Sequence, residues 1–468
     1  MNVAQAAQNA LAEGFRAISE QYKLPTEFPA DVLALAETAA HAKGRDGRPA
    51  WAAGRRDATD LAFITLDPAS STDLDQAFVL DRDGDEVVLH YALADVSAFV
   101  EVGGAIEDEA WSRGETIYGL AEKVPLYPKI ISQQAASLLP DGPRPCVLVV
   151  VAIRPDGKVN LRSVERAFCA SRAKLAYDSV DVSSVPHLDE FAKRMWADET
   201  ARGAVRVDFP QQEVVDDPSA PGGVRLQLTA RLLSETVNSA LSLAVNLAVA
   251  ALMNDAKTGI FRIMDDPEPR AIATLRRSAH ALGIEWARSE SLRDLQRRMD
   301  PDNSIHQGFL IDARRAGGRA GYAVFDPGKR PWHSAVAATY AHATAPMRRL
   351  ADRYVLDLAF LLANRLAVPR MLTDQISQLP EVMERSEGRA ASVERAVIDL
   401  LEAVELQHRV GDVLTGEVVD AEGGIIQIRE PAIRSRVQGL PEVENGTEVR
   451  VRIDSADPVT RKVRLSAI

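Results

Sequence analysis

The apolar periodicity of this chain changes character three times, so no single repeating architecture accommodates it. Residues 1 to about 57 follow a helical spacing, with Leu11, Phe15, Ile18 and Tyr22 and then Val32, Leu33, Leu35 and Ala36 on either side of the breaker LPTEFP. From Leu61 short β-rich runs take over: LAFITL, AFVLD and VVLHYALADVSAFV, with Asp83 and Gly84 suited to the turn between the last two. CVLVVVAI and KVNLRSVERAF continue the strands, and the proline-rich, acidic stretch Phe209 to Gly223 reads as a surface loop. Helical spacing returns at Thr229 to Asn254, Ala271 to Leu282, Arg348 to Leu366 and Ala390 to Val410. The tail reverts to alternation: in TEVRVRI, Val449, Val451 and Ile453 interleave with Arg450 and Arg452, giving one apolar and one basic face. The pattern predicts an α+β, multidomain chain. Its parts are a small helical N-terminal domain over 1–57, with a helix-turn-helix arrangement as one reading, a large α+β domain over about 58–405, and a five-stranded OB-type barrel over 411–468.

A formal net charge of −12 argues against a protein that grips polyanions by bulk electrostatics, so any nucleic-acid binding must use local basic groups or metal ions. Two cysteines, Cys146 and Cys169, make no disulfide framework and no zinc spacing, and read as buried thiols of a reducing compartment. The first twenty residues lack the features of a signal peptide, and no stretch is read as membrane-spanning, the Leu241 to Met253 run being short and Ala-rich. The expectation is a cytoplasmic protein without a membrane partner. There is no Gly-rich phosphate loop followed by Lys-Ser/Thr, and His333 and His342 lie too far apart for a helical metal pair.

The segment ITLDPASSTDLDQAF concentrates Asp67, Asp73 and Asp75 on a loop between two predicted strands. Carboxylates so close repel one another or raise one another's pKa unless a cation lies among them, and Mg²⁺ favours hard oxygen ligands of this kind. A solvated loop whose Ser and Asp side chains cap turns is the other reading of these residues. Along the helix predicted after Thr229, Glu235, Asn238, Ser242 and Asn246 recur every three or four residues, as a polar stripe that either lines a ligand path or faces solvent.

The acidic segment resembles the catalytic signature of the ribonuclease II/R family in its bacterial form. The resemblance continues, in order, through LHYALADVSAFVEVGGAIEDEAWSRGETIYGLAEKVPLYP, SRAKLAYDSV and YAHATAPMRRLADR, over about residues 60 to 410. It implies an RNB-type catalytic domain in which Asp67, Asp73 and Asp75 bind metal, with Asp73 and Asp75 also catalytic. The family's next position is usually a fourth aspartate. Here it is Gln76, whose carbonyl can ligate Mg²⁺ with one negative charge fewer. Tyr118 falls on the tyrosine that stacks the last base, which for stacking in general is worth roughly 1–3 kcal/mol per base. Arg348 falls on the arginine that binds the scissile phosphate, with Arg349 beside it as a further RNA contact. Glu394 sits where the family carries a glutamate near RNA; a helical salt bridge to Arg395 is the equal alternative.

The tail resembles the family's ribosomal S-one type RNA-binding barrel. Residues 411–468 hold no Phe, Tyr or Trp, so its RNA binding would rest on arginines, among them Arg429, Arg434, Arg436, Arg450 and Arg452. Family members usually carry two cold-shock modules ahead of the catalytic domain, and only about 57 helical residues stand there in this sequence. The resemblance thus implies a Mg²⁺-dependent 3′–5′ exoribonuclease, with Mn²⁺ as a substitute, acting as a monomer on single-stranded RNA or on structured RNA with a 3′ overhang. Its products would be nucleoside 5′-monophosphates. A catalytically silent RNA-binding protein of the same fold is the alternative.

Overall fold

The computed structural model describes residues 3–468 apart from 120–121, 205–210, 218–219, 221–222, 301–302, 422 and 429. Two helices open the chain, α1 (Val3–Gln21) and α2 (Ala30–Ala40). Both lie where the spacing placed them, but they share no core. Ala7, Leu11 and Ile18 of α1 are buried with Val393, Val397 and Leu400 near the far end of the chain, whereas Val32 and Ala36 of α2 belong to the main core.

That main core surrounds a six-stranded sheet made of β1 (Arg56–Asp57), β2 (Phe63–Asp67), β3 (Gln76–Asp83) and β4 (Glu86–Ala94), then, after helix α3 (Ala105–Arg113), β5 (Pro143–Ile153) and β6 (Val159–Ala176). The β3–β4 hairpin turns at Gly84, whose φ of +59° is open to glycine at little cost. β5 is apolar almost throughout, without alternation, because both its faces are covered. The 18-residue β6 pairs antiparallel with β5 along its first part and parallel with β2 along its end, so the sheet curls and β6 bridges its two sides. The parallel pairing brings the carboxyl ends of β2 and β6 together, with Asp67 opposite Ala176. Functional side chains therefore emerge at one rim.

Helix α4 (Leu188–Arg202) follows, then a hairpin of β7 (Gln211–Asp216) and β8 (Val224–Thr229). This corrects the expected loop over Phe209 to Gly223 at 211–216, which are strand; Phe209, Pro210, Pro218, Ser219, Pro221 and Gly222 lie outside the described residues. The acidic, proline-rich composition hides a strand pair whose Val224, Leu226 and Leu228 pack into the α1 cluster. Since Thr229 closes β8, the long helix α5 (Leu233–Asp255) starts four residues later than predicted, its first turn capped by the Glu235 carboxylate, which accepts from Leu232 N at 2.7 Å. At 23 residues α5 is long and apolar enough to cross a membrane by length and composition, contrary to the sequence expectation, yet most of it is buried in the body of the protein.

Next come β9 (Ile260–Ile263), the helices α6 (Pro269–Ala281), α7 (Leu292–Arg297) and α8 (Ser304–Ala316), which enclose a small core of their own, and β10 (Gly321–Val324), which pairs with β9. Helix α9 (Leu350–Ala363) precedes α10 (Arg370–Leu406). The sequence reading began this last helix only at Ala390. Pro380 lies inside it, and the burial of Leu372, Ile376, Leu379 and Met383 outweighs the one backbone hydrogen bond that the proline removes.

The strands β11 (Val413–Asp420), β12 (Ile425–Ile428), β13 (Ile433–Gln438), β14 (Glu448–Asp457) and β15 (Lys462–Ala467) form a closed barrel in the order β11-β12-β13-β15-β14. Val451 and Ile453 point inward and Arg450 and Arg452 outward, as the alternation predicts, and Leu406 at the end of α10 plugs the barrel core. Cys146 and Cys169 are buried free thiols.

Candidate active site

The loop 68–75 between β2 and β3 is fixed from both sides. Leu74 is fully buried, its N–H donates to Ser137 Oγ at 2.9 Å, and Ser137 Oγ donates to Thr72 O at 2.8 Å. From the opposite side the Lys174 ammonium, on β6, donates to Ala69 O and Ser71 O, both at 2.6 Å. The carboxylates of this loop therefore stand on a rigid backbone rather than on a solvated turn.

Asp67, the last residue of β2, has an Oδ2 sealed from solvent with no hydrogen-bond partner. Burial pushes its carboxyl up to about 7; Lys174 works against that shift and Asp73 adds to it. Asp75 is buried, and burial likewise raises it to about 7, opposed by Arg348 and by the Met347 N–H. Its Oδ1 accepts from Met347 N at 2.8 Å and its Oδ2 lies 3.7 Å from Arg348 Nε. Asp73 Oδ1 lies 2.7 Å from Lys123 Nζ. One buried carboxylate thus fixes, through Met347 272 residues away in sequence, the turn that carries Arg348.

Gln76 heads β3, and its carboxamide is fully engaged within the protein. Nε2 donates to Thr344 O at 2.6 Å, while Oε1 accepts from the buried Tyr91 hydroxyl and from Ser242 Oγ at 3.1 Å. The amide oxygen accepts twice, so in this arrangement Gln76 braces α5 and the Thr344 turn from a position beside the three aspartates. Next to the exposed Arg348, the half-buried Arg349 pairs with Asp352, with Nη2 at 2.8 Å from Oδ2, and Asp352 also accepts from Ala345 N at 2.8 Å. The Arg349 guanidinium is thereby tied to the start of α9.

Arg348 and Tyr118 are the exposed members, 45% and 48% accessible. Together with the three aspartates they line one open cavity of about 720 Å³, whose far wall is α5. Glu235, Asn238, Ser242 and Asn246 all face it, so the polar stripe of α5 forms one wall of the cavity. Asn238 Nδ2 donates to the Tyr177 hydroxyl at 2.7 Å, and Asn246 Nδ2 to that of Tyr340 at 3.0 Å. His342 accepts from or donates to the Tyr322 hydroxyl at 2.8 Å, and burial holds its imidazole well below the ordinary range, so it stays neutral. Glu394, exposed on α10, and Arg450 and Arg452, exposed on the barrel, are not among the cavity residues. Arg429 lies outside the described residues. Lys123, Lys174, Tyr177 and Tyr340 have no place among the predicted site residues. Tyr177 carries a legible signal, being the first residue after β6 at the rim where Asp67 ends β2.

The buried carboxyl of Asp75 and the half-buried one of Asp67, whose sealed Oδ2 has no partner, suit a hard divalent cation, since Mg²⁺ is commonly held by one or two carboxylates and several waters. Among the described residues no three His, Cys, Asp or Glu side chains converge as a ready-made cage. The fit is therefore to a cation bound chiefly through Asp67 and Asp75, with Asp73 turned toward Lys123.

Residues 55–361 match the profile of the RNB domain, and residues 412–468 that of the RNase II-type exonuclease C-terminal S1 domain. Ribonuclease R of Mycoplasmopsis pulmonis is 24% identical over 461 residues, covering 92% of this chain and 61% of the relative. The chain spans about three-fifths of the length of the curated relatives it matches. Among solved structures, Mycoplasma genitalium RNase R in complex with ribose-methylated single-stranded RNA superposes with a TM-score of 0.84 at 19% identity, covering 97% of this chain and 77% of that one. A yeast pseudonuclease superposes with a TM-score of 0.68 at 17% identity, covering 90% and 53%.

Proposed function

The chain belongs to the RNB-domain family, and from that premise we propose that it is a Mg²⁺-dependent exoribonuclease that removes nucleoside 5′-monophosphates from the 3′ end of RNA. The observation that carries this reading is the meeting of Asp67, Asp75, Arg348 and Tyr118 at one cavity, from positions spread over some 280 residues. A buried anionic floor opposite an exposed guanidinium and an exposed aromatic ring suits a ligand that carries both a phosphodiester and a flat base.

Asp67 and Asp75, joined by Asp73, would hold the cation, which when bound supplies Lewis acidity toward the phosphodiester and activates water. Arg348 takes the non-bridging phosphate oxygens, and its fork-shaped donors stabilise the charge that grows in the transition state. Asp75 also fixes the direction of Arg348 through Met347 N. Tyr118 stacks the terminal base without regard to its identity. Single-stranded RNA is the substrate this geometry favours, and the complex of Mycoplasma genitalium RNase R with ribose-methylated single-stranded RNA supports it.

The test uses the purified chain with end-labelled RNA and matching DNA, with and without Mg²⁺ or Mn²⁺, beside Asp75→Asn. Metal-dependent release of mononucleotides from RNA, lost by at least about a thousandfold in the variant, is the expected outcome. A second reading, an RNA-binding protein without catalysis, draws on the closed carboxamide of Gln76 and on the pseudonuclease likeness. RNA binding without cleavage under every metal condition would establish it in place of the first.

A further inference from the structure

Asp73 stands apart from its two neighbours in what it touches. Asp67 Oδ2 has no partner and Asp75 binds the Arg348 turn, but Asp73 Oδ1 is 2.7 Å from the ammonium of Lys123, a pair that is 16% and 24% accessible. Asp73 is also close enough to push up the carboxyls of both Asp67 and Asp75. It therefore lies within the electrostatic reach of the cluster while its side chain is drawn to a lysine of another segment. Lys123 lines the same cavity as Arg348 and Tyr118. The backbone ties Lys123 to Tyr118 in turn: Ile117 and Val124 form an antiparallel bridge with both N–H···O distances at 2.9 Å, and Tyr118 and Lys123 lie just inside it.

We propose that Lys123 is a placeholder cation. Its ammonium neutralises Asp73 when no divalent ion is bound, a divalent ion must displace it to recruit Asp73 as a ligand, and the released ammonium then faces the cavity as a contact for a substrate phosphate. The inference rests on the metal-dependent reading given above and deepens it. The charges support it. Asp67, Asp73 and Asp75 are matched by Lys174, Lys123 and Arg348, three acids against three bases. Lys174 is committed to two backbone carbonyls of the loop, and of the two cations set directly against carboxylates Lys123, 2.7 Å from Asp73, makes a closer pair than Arg348, 3.7 Å from Asp75. A divalent ion carries twice the charge of an ammonium and accepts two or three carboxylate oxygens at once, so it can win this exchange, but only by giving up part of its binding energy to break the pair. Lys123 thereby lowers metal affinity and links it to phosphate binding.

A merely structural ion pair makes the opposite forecast. Removing Lys123 would then loosen Asp73 and weaken metal binding or leave it unchanged. The test is Mn²⁺ binding to the full chain, by calorimetry and by electron paramagnetic resonance, for wild type, Lys123→Gln and Asp75→Asn, with thermal melting to establish that each is folded. Lys123→Gln is expected to bind Mn²⁺ on the order of tenfold tighter than wild type, and metal-loaded Lys123→Gln to bind a short single-stranded RNA several-fold more weakly. Lys123→Arg, which keeps the charge, is expected to retain wild-type metal affinity within about threefold. Unchanged or weaker Mn²⁺ binding in Lys123→Gln, with wild type binding and Asp75→Asn not, overturns the placeholder role and leaves the metal-dependent reading standing. Absence of Mn²⁺ binding at millimolar concentration in both wild type and Lys123→Gln overturns both.

Discussion

The cavity below the 68–75 loop and the outer face of the C-terminal barrel both present arginines to solvent, and they arrive at that by different means. On the barrel, Arg450 and Arg452 point outward because a strand alternates; Val449, Val451 and Ile453 have taken the inner face, and Arg452 leans on Asp454 at 2.9 Å. Beyond the pleat, Arg452 is steadied by exposed hydrogen bonds to Asp454 and Ser466. In the cavity, Arg348 is exposed at the end of a turn held by two buried bonds, Met347 N on Asp75 and Ala345 N on Asp352, and a half-buried one, Thr344 O on Gln76. The lesson is one of cost. A charge aimed by buried partners is expensive to build and is positioned to a fraction of an ångström, whereas a charge on a pleated surface is cheap and adds to its neighbours like one more unit of attraction.

That contrast can be broken most sharply at Arg348. Arg348→Ala is expected to lower kcat by about 10²–10³ with RNA affinity little changed, as befits a group whose contact strengthens in the transition state. Steady-state kinetics on a short single-stranded RNA, separating kcat from KM, checks this; a pure KM effect would place Arg348 with the barrel arginines.

The next effect concerns the strain of the floor itself. Asp67 and Asp75 have folded-state values near 7, above the ordinary 3.8. Between those values the folded chain holds protons that the unfolded chain has lost. Metal-free protein should therefore lose stability as pH rises from about 4 to 7, the whole penalty being present above that window. Asp67→Asn, neutral at every pH, is expected to stabilise the metal-free protein by about 2 kcal/mol at pH 8 and to flatten its pH dependence. Chemical denaturation at pH 5 and pH 8, in the presence of a chelator, measures both.

The smallest effect belongs to the barrel. Arg450→Ala with Arg452→Ala should weaken single-stranded RNA binding several-fold and reduce the slope of log affinity against log salt by up to about 1.4, two contacts at roughly 0.7 each, with kcat on short RNA unchanged. Affinity titrations across a salt series decide it, and an unaltered slope would take these two arginines out of RNA binding.

How far each region is legible in the sequence follows from the same contrast. The barrel is local: period-two alternation in TEVRVRI is enough to say which face each residue takes, and the structure agrees. The cavity is not. Asp67, Asp73 and Asp75 stand out by crowding, but what each one does depends on Lys174, Lys123 and Met347, from segments that spacing cannot connect. The bracing of Gln76 by Tyr91, Ser242 and Thr344 is equally out of reach of spacing. Arg349 is the case that spacing had in reach, because Asp352 lies three residues on, the interval at which helical ion pairs form. Among the elements, the β7–β8 hairpin was obscured by its acidic, proline-rich sequence, and the first half of α10 by Pro380; in both, packing against distant residues overrides local preference.

Helix α10 carries a mechanical consequence. It runs 37 residues, roughly 55 Å at 1.5 Å per residue, from the flank of the RNB domain to Leu406 inside the barrel. The barrel is thus mounted on an axle, not hung from a tether, and its bearing toward the cavity is an angle stored in residue count. Each residue added to or removed from the axle between Glu394 and Leu406 would turn the barrel by about 100° about that axis, enough to face its arginines away from any strand leading to Arg348.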